Sequence, residues 1–140
     1  MGYLARREHS QLELTQKLSR KGFPMDIVSQ VIAELSIRGL QSDSRYAEIY
    51  VRSRLSRGYG PLRIRQELRH RGIDAKLLAD LQPVGADDNL LKIHDRKFGA
   101  GPPKNLEERA ERERFLLRRG FSGDQIRRFF RDLRNGDIDD

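Results

Sequence analysis

The sequence predicts an all-α protein, an elongated array of three tandem three-helix repeats, and three observations carry that prediction. First, Gly22, Gly72 and Gly120 lie 50 and 48 residues apart. Second, each has a leucine four positions earlier (Leu18, Leu68, Leu116) and an apolar residue directly after it (Phe23, Ile73, Phe121). That triplet is the sequence form of a Schellman ending, in which a left-handed glycine closes a helix and the next residue folds back onto the last turn. Third, position +2 from each glycine is a helix starter (Pro24, Asp74, Ser122), with apolar residues at +6 and +9 (Val28 and Val31, Leu78 and Leu81, Ile126 and Phe129). Cap, turn and apolar spacing agree in all three copies, which sets a repeat apart from an irregular bundle.

The elements follow in order. Tyr3 to His9 reads as the tail of a helix, and Met1-Gly2 as a possible remnant ahead of it. Ser10-Gln11-Leu12-Glu13 is a capping box, opening a helix with Leu14 and Leu18 on one face that closes at Gly22. Pro24 starts the next helix, with Ile27, Val28, Val31, Ile32 and Leu35 as its apolar stripe. Leu35, Gly39 and Leu40 end it with a fourth copy of the triplet. The second repeat leads with a helix over 43–57, in which Tyr46, Ala47, Tyr50, Val51 and Arg54 share a face. After the breaker Gly58-Tyr59-Gly60-Pro61, Ile64 and Leu68 face inward. The third repeat leads with a helix over about 88–98, where Asp87-Asp88 reads as its cap, followed by the loop Gly99-Ala100-Gly101-Pro102-Pro103. Gly136 to Asp140 reads as a frayed acidic tail. The expected boundaries are 1–40, 41–84 (the basic repeat) and 85–140.

Charge is concentrated in the second repeat. The chain has 140 residues and a net charge of +7. Seven arginines (Arg52, Arg54, Arg57, Arg63, Arg65, Arg69 and Arg71) stand against one acid, Glu67, within the twenty residues 52–71, a balance of +6. Arg65 and Arg69 fall on one flank of their helix, Arg63 and His70 on the other, and Arg45 and Arg52 point away from the apolar face of theirs. Guanidinium forks flanking Tyr59 suit phosphate or carboxylate recognition, with an aromatic ring available to stack a base. The candidate partner- or DNA-binding set is therefore Arg52, Arg57, Arg63, Arg65, Arg69, Arg71 and Tyr59. Arg54, in mid-stripe, reads as structural, as do Gly22, Gly72 and Gly120. The second basic run, 109–134, reads as a solvated helix surface, because pairs such as Glu108–Arg112 and Glu111–Arg114 answer its charge internally.

Other classes find no support. No apolar run is long enough to span a bilayer, and no signal or lipidation pattern occurs, so a cytoplasmic protein is expected. The absence of cysteine excludes disulfides and thiolate metal sites. His9, His70 and His94 are scattered one per repeat, without metal-ligand spacing. Gly58-Tyr59-Gly60 lacks the rest of a phosphate-cradling loop. No nucleophile–base pair stands out, so neither an enzyme nor a cofactor is expected. A basic helical protein fits a polyanion or an acidic protein surface, and an independent nonspecific nucleic-acid binder or an adaptor for an acidic protein would fit equally.

Particular residues narrow this. Leu4-Ala5-Arg6-Arg7-Glu8-His9-Ser10, Glu13-Leu14, Leu18 and Lys21-Gly22-Phe23 are followed by Asp43, Arg45-Tyr46-Ala47, Tyr50-Val51-Arg52 and Arg54. Gly58, Gly60-Pro61, Ile64, Leu68 and Gly72-Ile73 complete the set. Across the first two repeats the chain resembles the bacterial RecX family of recombination regulators, while the third repeat departs more. The resemblance implies an all-helical array of three three-helix units without enzymatic activity. It also implies binding to RecA, in the groove of the RecA–DNA filament, with inhibition of strand exchange, ATP hydrolysis and coprotease activity, and so modulation of DNA repair and the SOS response. The expected partners are the RecA filament and, weakly and nonspecifically, DNA; the expected state is a monomer.

Overall fold

The computed structural model describes residues 7–81 and 86–136, and every regular element among them is a helix. They are α1 (Gln11–Arg20), α2 (Met25–Ile37), α3 (Asp43–Ser56), α4 (Pro61–His70), α5 (Ala75–Asp80), α6 (Ala86–Phe98), α7 (Leu106–Arg119) and α8 (Gly123–Asn135). The chain folds as two compact units. One comprises residues 1–50 and 67–81, the other 51–66 and 82–140, so α3 and α4 each contribute to both.

The helix endings are as the triplets require. Gly22, Gly72 and Gly120 have φ of 93°, 84° and 102°. Phe23, Ile73 and Phe121 donate their N–H to Leu18, Leu68 and Leu116 at 3.3, 3.1 and 3.2 Å, which is the closing bond of a Schellman turn. Gly39 repeats the turn, and so does Gly58, where Tyr59 donates to the Arg54 carbonyl at 3.1 Å. Ser10 and Ser122 form capping boxes with Glu13 and Gln125, while Asn105 caps α7.

In the first unit Leu14, Val28 and Ile32 form a core with Leu18 and Leu35 against it, and Tyr46, Ala47, Leu68, Ile73 and Leu78 are also buried. Two residues of the expected α2 stripe are not part of it: Ile27 and Val31 are 42% and 40% exposed. Their counterparts in the third repeat, Gln125 and Phe129, are covered by α6, where Gln125 donates to Asp87 at 2.8 Å and His94 packs edge-on to Phe129. Among the described residues no helix precedes α1. Of the expected helix over Tyr3–His9, the part up to Arg6 lies outside the described residues, and Arg7 to His9 are not helical. His9 is instead buried, its Nδ1–H donating to the Arg7 carbonyl at 3.1 Å and its Nε2 accepting from Lys17 at 3.0 Å.

The second unit's core holds Leu90, Ile93, Leu116, Phe121, Ile126, Phe129, Phe130 and Leu133. Asp87 and Asp88 lie within α6, in its first turn, and not at its cap. Arg112 departs most from a solvated surface. It is buried, donating to His94 Nε2 at 3.1 Å and to the Gly101 carbonyl at 2.9 Å, with Glu108 at 3.8 Å. One guanidinium thus ties the loop before α7 to the ring cluster of His94, Phe98, Phe129 and Phe130. The pair Glu111–Arg114 does not form; Arg109–Glu113 at 2.9 Å takes that role.

Two helix ends meet inside this unit. Gly60 donates its N–H to the Arg119 carbonyl at 2.7 Å, and Leu62 to the Gly120 carbonyl at 3.0 Å. The first amides of α4, next to Pro61, are therefore satisfied by the last carbonyls of α7. A β-carbon on Gly60 would lie 2.4 Å from the Gly120 carbonyl carbon, and one on Gly120 would lie 2.2 Å from Arg63 Cβ. The first unit contains the corresponding approach: Ser10 Oγ donates to the Arg71 carbonyl at 2.9 Å, and a β-carbon on Gly72 would meet Leu12 Cβ at 2.6 Å.

Two outcomes follow from this packing. Around Gly22 a β-carbon meets nothing within 4 Å, so Gly22→Ala should cost only the left-handed penalty, about 1–2 kcal/mol. Gly120→Ala adds a backbone clash and should cost roughly 3 kcal/mol or more. Urea melts of the two variants check this, and equal destabilisation would refute the joint. The second outcome concerns pH. Burial, with Arg7 and Lys17 beside it, pushes the His9 pKa down. Burial does the same to His94, where Arg112 adds to the effect and Asp95 opposes it. The unfolded chain, with histidines near 6.5, then takes up protons first. Stability should hold above about pH 6.5 and fall as pH drops below it. Thermal melts from pH 7.5 to 5.5 should show the fall, and His94→Gln should flatten it.

Candidate polyanion and partner surface

Tyr59 is the centre of the most distinctive polar arrangement in the second unit. The turn at Gly58 sets its backbone, with Gly58 itself packed under Ile93, and the joint at Gly60 brings the end of α7 beside it. Three guanidiniums surround its ring: Arg54 at 3.7 Å from the centroid, Arg63 at 4.5 Å and Arg119 at 4.8 Å. The negative face of a tyrosine ring attracts such cations, by about 0.5–1 kcal/mol each where solvent has access. Arg63 also donates to the Arg118 carbonyl at 3.2 Å, answering a helix-end dipole as well as the ring. The ring therefore acts as a platform that holds arginines in fixed positions, with its own faces occupied by them.

The remaining candidates are distributed as follows. In the second unit Arg52 and Arg57 are exposed and Arg65 is half-buried. Arg69 and Arg71 belong to the first unit. There Arg71 lies 4.8 Å over the ring of Tyr50, whose hydroxyl donates to Glu67 at 3.0 Å, and Arg69 is exposed. Arg45, expected to point outward, is half-buried and pairs with Glu8. Arg54 is half-buried against Tyr59.

Arg119 escapes sequence reasoning entirely. It lies sixty residues from Tyr59 in the chain, within a run that reads as solvated. Its only signal is positional, because it precedes Gly120 as Arg71 precedes Gly72. Among the described residues no group of three or more histidine, cysteine or acidic side chains is placed to hold a metal ion. No helix there is long and apolar enough to cross a membrane.

Fold and surface together define an all-helical protein of tandem three-helix repeats carrying arginine clusters on aromatic platforms. Three family models match in series: the first three-helix domain of RecX over residues 1–35, the second over 42–80 and the third over 86–130. The regulatory protein RecX of Halorhodospira halophila is 43% identical over 127 residues, covering 89% of this chain and 79% of that protein. That of Pseudomonas fluorescens is 42% identical over 131 residues, covering 91% and 84%. The crystal structure of RecX from Lactobacillus salivarius superposes with a TM-score of 0.79 at 25% identity, covering 96% of this chain and 91% of that one. The chain belongs to the RecX family of regulatory proteins.

The geometry at Tyr59 makes one prediction about stability. Tyr59→Phe keeps the ring and should change stability by less than about 0.5 kcal/mol, whereas Tyr59→Ala removes the platform for three cations and should cost about 2 kcal/mol. Chemical denaturation separates these outcomes, and a large destabilisation in the phenylalanine variant would assign the role to the hydroxyl.

Proposed function

We propose that this protein is a non-enzymatic regulator that binds the RecA–DNA filament and inhibits RecA's recombinase, ATPase and coprotease activities, so modulating DNA repair and the SOS response. Family membership across all three repeats is the observation that carries this reading. The proposed contact residues are Arg52, Arg57, Arg63, Arg65, Arg69, Arg71 and Tyr59, with Arg54 and the turn glycines holding them in place. The domain boundaries that go with this reading are 1–40, 41–84 and 85–140, and the protein acts as a cytoplasmic monomer without a cofactor. Repeats that meet a filament at several points gain affinity by multivalency, since neighbouring contacts act at high effective concentration even where each is weak. Arginines pre-set on an aromatic platform lose less side-chain freedom on binding, which suits them to that role.

Sub-stoichiometric protein should slow ATP hydrolysis by RecA on single-stranded DNA. Charge reversal at Arg63, Arg65 and Arg69 together should raise the concentration needed for half-inhibition at least tenfold. Arg63 is also packed at the joint, so the double variant Arg65→Glu/Arg69→Glu keeps the test readable, and circular dichroism checks the fold. Wild-type protein in several-fold excess that leaves RecA untouched would refute the regulator reading. Variants as potent as wild type would move the contact off this surface.

A further inference from the structure

The last helix carries a charged face that the second repeat's arginines do not account for. One side of α8, formed by Ile126, Phe129, Phe130 and Leu133, is buried in the second unit's core. At 100° per residue, Arg127, Arg131 and Arg134 (i, i+4, i+7) form a stripe on one flank of that side, and Arg128 lies further round, away from the core. These four and Arg109 of α7 line a concavity of about 490 Å³ that includes a single carboxylate, Asp124.

Arg109 is placed from below, its guanidinium 5.3 Å from the Phe130 centroid and 2.9 Å from Glu113. Arg127 pairs with Asp124, and Arg131 lies 3.6 Å from Asp132. Both arginine side chains remain 68% and 60% exposed. Ion pairs that open to water contribute little, so a phosphate can replace the carboxylate at small cost. Among the described residues Arg128 and Arg134 form no ion pair.

We propose that this face of α8, with Arg109, is a nucleic-acid phosphate-binding surface separate from the second repeat. Two features select a phosphodiester backbone over an acidic protein. The concavity is lined by charged residues alone, and α8 exposes no large apolar side chain, whereas protein interfaces depend on an apolar or aromatic anchor at their centre. The stripe from Arg127 to Arg134 also spans about 10 Å, enough for forked donors to reach two successive phosphates of one strand. The surface contacts backbone only and carries no sequence readout.

The inference does not depend on any action on RecA, and its test contains none. Anisotropy of a labelled twenty-nucleotide oligothymidylate, read between 50 and 200 mM salt, gives affinity and salt slope for the full chain. Changing Arg127, Arg128, Arg131 and Arg134 to Gln should weaken binding at least tenfold at 50 mM. It should also lower the slope by about 0.7 for each single-strand phosphate that is no longer neutralised. The corresponding lysine variant keeps the charge and should retain most of the slope. A glutamine variant with wild-type slope and an unchanged melting curve would overturn the assignment. Poly-glutamate that displaces the oligonucleotide from this surface as readily as unlabelled oligonucleotide does would overturn it too, in favour of an acidic protein.

Discussion

The second unit depends on the closeness with which two helix ends approach. At Gly60 and Gly120 the backbones of α4 and α7 are near enough that a β-carbon on either would overlap the other chain segment. The orphan amides of Gly60 and Leu62 meet the orphan carbonyls of Arg119 and Gly120, and the Arg63 side chain answers the Arg118 carbonyl beside them. The same approach builds the basic cluster. Arg119 gives its carbonyl to Gly60 while its side chain reaches the ring of Tyr59, the residue just ahead of that glycine. The first unit follows the same rule, with Arg71 giving its carbonyl to Ser10 and its guanidinium to Tyr50. In both places the structural joint and the fixed arginine are one construction.

Much of this was legible in the sequence, and the part that was not has a physical reason. Schellman turns and capping boxes are local: the residues that make the hydrogen bonds lie within six positions of each other, so Leu18-Gly22-Phe23 and its copies announce their conformation. The joint is not local. Gly60 reads as a helix breaker, and only the structure shows that a backbone sixty residues away requires its missing side chain. Arg119 was hidden for the same reason. Ile27 and Val31 fit an apolar stripe by spacing, yet spacing cannot say whether a neighbouring helix covers it.

Arg112 teaches the complementary lesson about charge. Its i,i+4 relation to Glu108 is real, and that relation suggests a surface pair. At 3.8 Å, however, the carboxylate is the weaker partner, and the guanidinium is committed to a buried histidine and a loop carbonyl. The arginines of this chain thus serve in different ways. Arg112 secures the interior, Arg54, Arg63, Arg71 and Arg119 are arranged on tyrosine rings, and those on the outer face of α8 point into solvent. A net charge of +7 does not distinguish these roles.

The central claim, that this member of the RecX family acts on a recombinase filament, is tested most directly by retention of RecA on the immobilised protein, with and without single-stranded DNA and a slowly hydrolysed ATP analogue. The account predicts strong retention of RecA when the filament is assembled and much weaker retention of free RecA. The retained complex should survive a non-cognate DNA competitor. Retention of DNA alone, with RecA passing through in both conditions, would contradict it.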